Sequence, residues 1–174
     1  QKCLGAFETF TMEYTEREFH YTLYYYDQAG NLIKTVPPNG VVVISDTLML
    51  DSVVLHRDSS LINPGSVIPE HELITNYRYT TLNQPARQHT PDGGITQFWY
   101  DILGRLVLSQ NAKQAAGDAY SYTKYDDLGR IAEVGEIQHD TAMTAAHAAS
   151  SFYLANWLYL GNKFQVTSTY YDFT

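Results

Sequence analysis

Along much of this chain, aromatic and apolar residues recur two apart, the period of a strand with one buried face. Tyr24 and Tyr26 fall on one face of such a strand, and so do Phe98 and Tyr100. Leu106, Val107 and Leu108 resume the apolar run after a polar break. Val41 to Ile44 reads as a further buried strand, placed behind the rigid connector Thr35-Val36-Pro37-Pro38-Asn39-Gly40. One stretch changes period. Between residues 140 and 160, Ala142, Ala145, Ala146, Ala148, Ala149 and Ala155 favour helix, and Met143, Ala146, Tyr153 and Trp157 fall close to one helical face. Asp140 and Thr141 are the candidate caps at its start, and Gly161-Asn162 at its end. Strand returns at Lys163 to Tyr171. The expected fold is mainly β, with one short Ala-rich helix near 141–160 that lies against a sheet face or seals an edge. A helix that docks a partner is the alternative.

The strands belong to a repeat. Tyr24-Tyr25-Tyr26-Asp27-Gln28-Ala29-Gly30-Asn31-Leu32 recurs as Phe98-Trp99-Tyr100-Asp101-Ile102-Leu103-Gly104-Arg105-Leu106, and again as Thr123-Lys124-Tyr125-Asp126-Asp127-Leu128-Gly129-Arg130-Ile131. A degenerate copy runs from Tyr77 to Pro85, with Thr80 in place of the aspartate and Asn83 in place of the glycine. Thr keeps a side-chain oxygen for the turn, and Asn tolerates a left-handed backbone best after Gly. Thr169-Tyr170-Tyr171-Asp172 resembles a fifth copy cut off after its aspartate, so the chain is expected to be a piece of a larger array.

Each unit predicts a β-hairpin. The aspartate accepts hydrogen bonds from backbone amides ahead of it, and the glycine supplies the positive φ that closes a type I turn with a G1 bulge. Asp27, Gly30, Thr80, Asn83, Asp101, Gly104, Asp126 and Gly129 are therefore read as turn residues. Carboxylates repeated once per unit suit a turn better than a catalytic or metal site. The arginines after glycine, Arg105 and Arg130, are expected on the sheet surface or paired with acids. Lone hairpins are marginal, so the units must pair sideways into one sheet. The repeats are placed near 21–36, 77–90, 95–110, 120–135 and 165–174, with insertions at 41–75 and 139–162. Residues 45–75 are expected to hold one or two strands around the turn Asn63-Pro64-Gly65, and Thr90-Pro91-Asp92-Gly93-Gly94 to join two strands.

Composition changes this picture little. The 15 tyrosines, against 7 phenylalanines and 2 tryptophans, suit strands with many half-buried faces. A net charge of −8 without a basic run argues against nucleic acid as a partner. No apolar stretch has the length of a membrane span, and the N-terminal Gln-Lys-Cys-Leu-Gly is not a signal sequence, so an export signal is expected outside these residues. Cys3 is the only cysteine, which excludes an internal disulfide. The histidines are scattered, and His139 and His147 are too far apart for a helical metal pair. No activated nucleophile or phosphate loop is present. No catalytic residue, metal or cofactor is therefore assigned, and an enzyme is not expected. Trp99, Tyr25 and Tyr122 are candidate stacking residues for sugars, although strand packing accounts for them more economically.

The segments 25–32, 99–106 and 124–131, with the Pro91-Asp92-Gly93 turn, resemble the YD repeats of the rearrangement-hotspot (Rhs) family. The resemblance covers roughly residues 21 to 138 and resumes near 165. It implies a long curved sheet that spirals into a hollow shell, as in toxin-complex cocoons and teneurin barrels. In toxin members the shell encloses a C-terminal polypeptide, and a separate core segment cleaves itself in an Asp-Pro-x-Gly context. This sequence contains no Asp-Pro, so that activity is not carried over. The long inserts resemble those of very large secreted or surface proteins, for which export through a type IX system would fit. The function expected is a scaffold segment of a secreted bacterial shell that encapsulates or presents a C-terminal toxin or effector. An adhesin-like module that binds glycans or proteins is the alternative.

Overall fold

The structure is a computed structural model, and it describes Met12, Glu13, residues 20–58 and residues 69–171. The protein is mainly β. Among the described residues nine strands form one antiparallel sheet whose spatial order is the chain order, so every connection joins neighbours. Four repeat hairpins supply eight of them: β1 (Leu23–Tyr26) with β2 (Leu32–Val36), β3 (Thr75–Tyr79) with β4 (Pro85–Thr90), β5 (Gly94–Tyr100) with β6 (Leu106–Gln110), and β7 (Ala119–Tyr125) with β8 (Ile131–Gln138). The last strand, β9 (Asn162–Ser168), pairs with β8.

All four hairpins carry the same irregularity. The register shifts at the motif tyrosine, so that Ile33, Ala86, Val107 and Ala132 are the extra residues on the returning strands. An extra residue at a fixed place adds twist at a fixed place.

Two expectations fail between β2 and β3. Val41 to Ile44 is not a strand, and Val42 and Val43 are 42% and 76% exposed. The chain turns through a short 3-10 helix at Pro38–Gly40, and its polar backbone groups then meet a loop instead of a strand. Glu72 N–H donates to the Gly40 carbonyl at 2.8 Å, and Val42 N–H donates to His71 Nδ1 at 3.1 Å. The insertion read as one or two strands contains helix α1 (Thr47–Asp58). Asp46 starts it: its carboxylate accepts from Leu48 N–H and its carbonyl from Leu50 N–H. The predicted turn at Asn63-Pro64-Gly65 lies outside the described residues.

A one-turn helix, α2 (Ala112–Ala115), fills the β6–β7 connection behind an Asn111–Gln114 capping box. The Ala-rich stretch is two helices, α3 (Ala145–Ala149) and α4 (Ser151–Leu160). Thr144 caps α3, in place of Asp140 or Thr141. Thr141 is otherwise engaged: its N–H donates to His139 Nδ1, and its carbonyl accepts from Trp157 Nε1 at 2.9 Å. Ser150 caps α4, and Gly161 ends it. The break at Ser150 resets the helical phase, so Met143, Ala148, Trp157 and Leu158 are buried whereas Ala146 is exposed.

These helices cover the second half of the sheet. Trp99, Leu108 and Tyr122 are successive register partners and share a face, as do Tyr120 and Ile137. Trp157 meets Tyr120 edge-on at 5.2 Å between centroids, and Tyr120 meets Trp99 in the same way at 5.7 Å. Gly161 passes so close over Ile137 that a Cβ there would overlap it. Among the described residues no helix is long and apolar enough to cross a membrane.

Candidate functional site

The repeated residues form one site, copied from hairpin to hairpin at one end of the strands. In each turn the motif oxygen is spent on its own hairpin. Asp101 Oδ1 accepts from Leu103 N–H at 3.0 Å and Arg105 N–H at 2.8 Å, while Oδ2 accepts from Arg105 Nε at 2.7 Å. Asp126 does the same with Leu128 and Arg130 at 3.0, 2.7 and 2.7 Å. Asp27 holds Ala29 N–H, Asn31 N–H and the Asn31 amide. Thr80 Oγ1 accepts from Leu82 and Gln84 N–H, both at 3.2 Å. Gly30, Gly104 and Gly129 have φ of 83°, 77° and 79°, and Asn83 has 58°.

The charge state of the acids follows from these partners. The Asn31 amide, helped by nearby backbone N–H groups, holds the Asp27 carboxyl below its ordinary value. Burial pushes Asp126 up, but the amide, side chain and charge of Arg130 outweigh it and hold that carboxyl low. Such carboxylates stay ionised and fully hydrogen-bonded, which suits a turn and leaves little basicity for proton transfer. Among the described residues no group of three or more His, Cys, Asp and Glu side chains is placed to hold a metal.

A second layer of contacts was not anticipated from the sequence. From the second repeat onward, each motif tyrosine reaches across to the preceding repeat and donates to the carbonyl that opens its returning strand. The pairs are Tyr79 with Leu32 at 3.0 Å, Tyr100 with Pro85 at 2.8 Å, Tyr125 with Leu106 at 3.0 Å and Tyr171 with Ile131 at 3.0 Å. The residue after the turn glycine reaches in the opposite direction. Arg105 stacks its guanidinium over Tyr125 at 4.5 Å, and Arg130 over Tyr171 at 4.2 Å. In the first two repeats amides replace arginine: Asn31 donates to the Asn83 side chain at 3.1 Å, and Gln84 to the Gly104 carbonyl at 2.6 Å. Arg105 and Arg130 also pair with Asp101 and Asp126. The motif therefore closes its own turn and holds the next one. The available signal was the invariant distance from each tyrosine to the residue after glycine, but a carbonyl acceptor leaves no mark in a sequence.

The three aromatic candidates for ligand stacking are placed differently. Trp99 is 8% and Tyr122 2% exposed, both inside the core, so neither face is open to a sugar. Tyr25 is half-buried with Lys34 over its ring at 5.4 Å. Tyr122 instead stitches three strands together: its hydroxyl donates to Glu133 at 2.7 Å, and Lys163 of β9 donates to the same oxygen at 2.8 Å. Burial, then the hydrogen bond to Glu133 and its charge, raise the Tyr122 phenol well above its ordinary value. Lys163, then Tyr122, hold Glu133 below its own.

No family model matches the chain, and no curated protein matches it. Two solved Tc toxin structures are similar. One is a crystal structure of TcdB2-TccC3, with 20% identity and a TM-score of 0.40 over 70% of this chain and 5% of that one. The other is the Photorhabdus luminescens Tc holotoxin pore, with 18% identity and a TM-score of 0.40 over 74% of this chain and 5% of that one. The chain thus spans about 5% of the length of either.

Proposed function

We propose that these residues form a wall segment of a secreted bacterial β-shell, whose task is to enclose or present a polypeptide and not to catalyse a reaction. The observation that carries this reading is the seam. Tyr79, Tyr100, Tyr125 and Tyr171 each grip the preceding repeat at the same carbonyl position, so one unit added to another extends the sheet by a fixed step. A sheet built this way grows as a ribbon, and the bulge in every hairpin supplies the regular twist that curves it. The spent carboxylates support a structural role. The adhesin reading loses two of its three stacking residues to the core. The proposed location is outside the cell or at its surface, where export through a type IX system remains the expected route.

The test is electron microscopy, with limited proteolysis, of the natural polypeptide that contains these residues. A hollow β-walled particle that protects a discrete polypeptide from protease is expected. A solid or filamentous particle with no protected cargo would overturn the proposal.

A further inference from the structure

Arg78 of β3 and Arg87 of β4 are register partners, so their side chains leave the same face of the sheet side by side. Both are exposed, and among the described residues neither side chain takes part in an ion pair or a hydrogen bond. Like charges placed directly opposite destabilise a strand pair. The chain carries 19 acids and a net charge of −8, so an unneutralised cationic pair stands out against its surroundings.

The neighbouring positions extend the patch. Asn76 pairs with His89 and also with Lys34, which brings two more basic side chains onto this face. Gln97 stands opposite Arg87 and continues the row with an amide. Two clefts share the arginines. One, of about 380 Å³, is lined by Asn76 and His89. The other, of about 680 Å³, is lined by Gln97 and Trp99 and walled by Met143 and Thr144 ahead of α3.

We propose that this face binds an extended acidic polypeptide segment, with carboxylates held by Arg78 and Arg87, main-chain amides by Gln97, and an apolar side chain in the cleft beside Met143. Guanidinium forks match carboxylates in plane and take two hydrogen bonds each. Clefts on both sides of the arginines suit a chain that runs across them, where a compact anion would fill only the middle. The net negative charge opposes long, uniformly charged polymers such as nucleic acid, which need many cations in a row. Short acidic stretches with apolar residues between them meet both the local charge and the cleft. The inference goes beyond the shell reading, and a failed peptide titration would leave the search for a hollow particle untouched.

The test is fluorescence anisotropy with a fluorescein-labelled peptide of alternating glutamate and leucine, beside the same peptide with glutamine for glutamate. Saturable, salt-sensitive binding of the glutamate peptide alone is expected. Arg78→Gln or Arg87→Gln should each weaken it roughly tenfold, and Lys113→Gln on α2 should leave it unchanged. Loss of one of two facing like charges should not lower the melting temperature, which separates a lost site from a lost fold. Should Arg87→Gln melt lower, Arg87→Lys keeps the charge without the fork and is expected to bind more weakly at unchanged melting temperature. Equal binding of both peptides, full binding by the Gln or Lys variants, or preference for a heparin oligosaccharide over the peptide would each overturn the proposal.

Discussion

The first two hairpins and the last two share a turn, a bulge and a tyrosine bond, yet they are held together by different means. Across β1–β4 the one buried hydrophobic side chain among the described residues is Val36. Across β5–β8 lie Trp99, Val107, Leu108, Tyr120, Tyr122 and Ile137, closed over by Met143, Ala148, Trp157 and Leu158. The residue after the turn glycine follows the same division, with amides in the first half and arginines stacked on tyrosine in the second. Identical backbone geometry in both halves means that the turn chemistry sets it and that core burial is not required for it. Burial decides instead how much each half can lose before it opens.

The largest expected effect comes from Trp157. Trp157→Ala removes a side chain that is 2% exposed, its edge contact with Tyr120, its stacking on His139 and its bond to the Thr141 carbonyl. A loss of about 3–5 kcal/mol is expected in urea unfolding. Hydrogen exchange should show the amides of β5–β8 opening faster while β1–β4 changes little. Uniform loss of protection across all nine strands would show one cooperative unit and erase the distinction between the halves.

A smaller effect separates the two turns. Valine at Gly104 meets a φ of 77° and places its Cβ 3.1 Å from the Gln84 amide that donates to the Gly104 carbonyl. The expected cost is about 2–3 kcal/mol, from the left-handed backbone together with the lost cross-repeat bond. Gly30 has a φ of 83° with nothing within 4 Å of a new Cβ, so Gly30→Val should cost only the backbone share, about 1–2 kcal/mol. Equal urea midpoints for the two variants would show that the Gln84 contact adds nothing to the seam.

The hairpins were legible because their determinants are local: an aspartate, a glycine and a two-residue period all act within one turn. Val41 to Ile44 misled because its fate is set by residues far along the chain: His71 takes the Val42 N–H, and Glu72 takes the Gly40 carbonyl just before it. The helical stretch was legible in composition, but Ser150 resets its phase, so Ala146 was misplaced on the buried face. Trp99 and Tyr122 could be read as exposed only while the fold-back of residues 143–161 was unknown. The facing arginines were hidden for a related reason, since Arg78 and Arg87 become partners only once the turn and bulge fix the register.

The smallest effect concerns the outermost strand, where the second half adds an ion pair to its seam. Glu133 accepts from Tyr122 and Lys163, and Lys163 first, then Tyr122, hold its carboxyl below the ordinary glutamate value of 4.5. A carboxyl held low in the folded protein contributes stability that is present above the unfolded value and is lost as pH falls through the folded one. The attachment of β9 should therefore be undiminished above about pH 4.5 and weaken below it. Lys163 and Glu133 are partly exposed, so the pair itself should contribute no more than about 1 kcal/mol. Asp27 and Asp126 are held low as well, so acid also loosens one turn in each half, and only a difference between strands isolates Glu133. Glu133→Gln should flatten the acid dependence of hydrogen exchange in β9 while leaving that of β1 and β2 as it was. If β9 in the variant still opens with the parent's pH profile, its attachment rests on the Tyr171 bond to Ile131 and the backbone ladder, and the ion pair adds nothing that distinguishes the two halves.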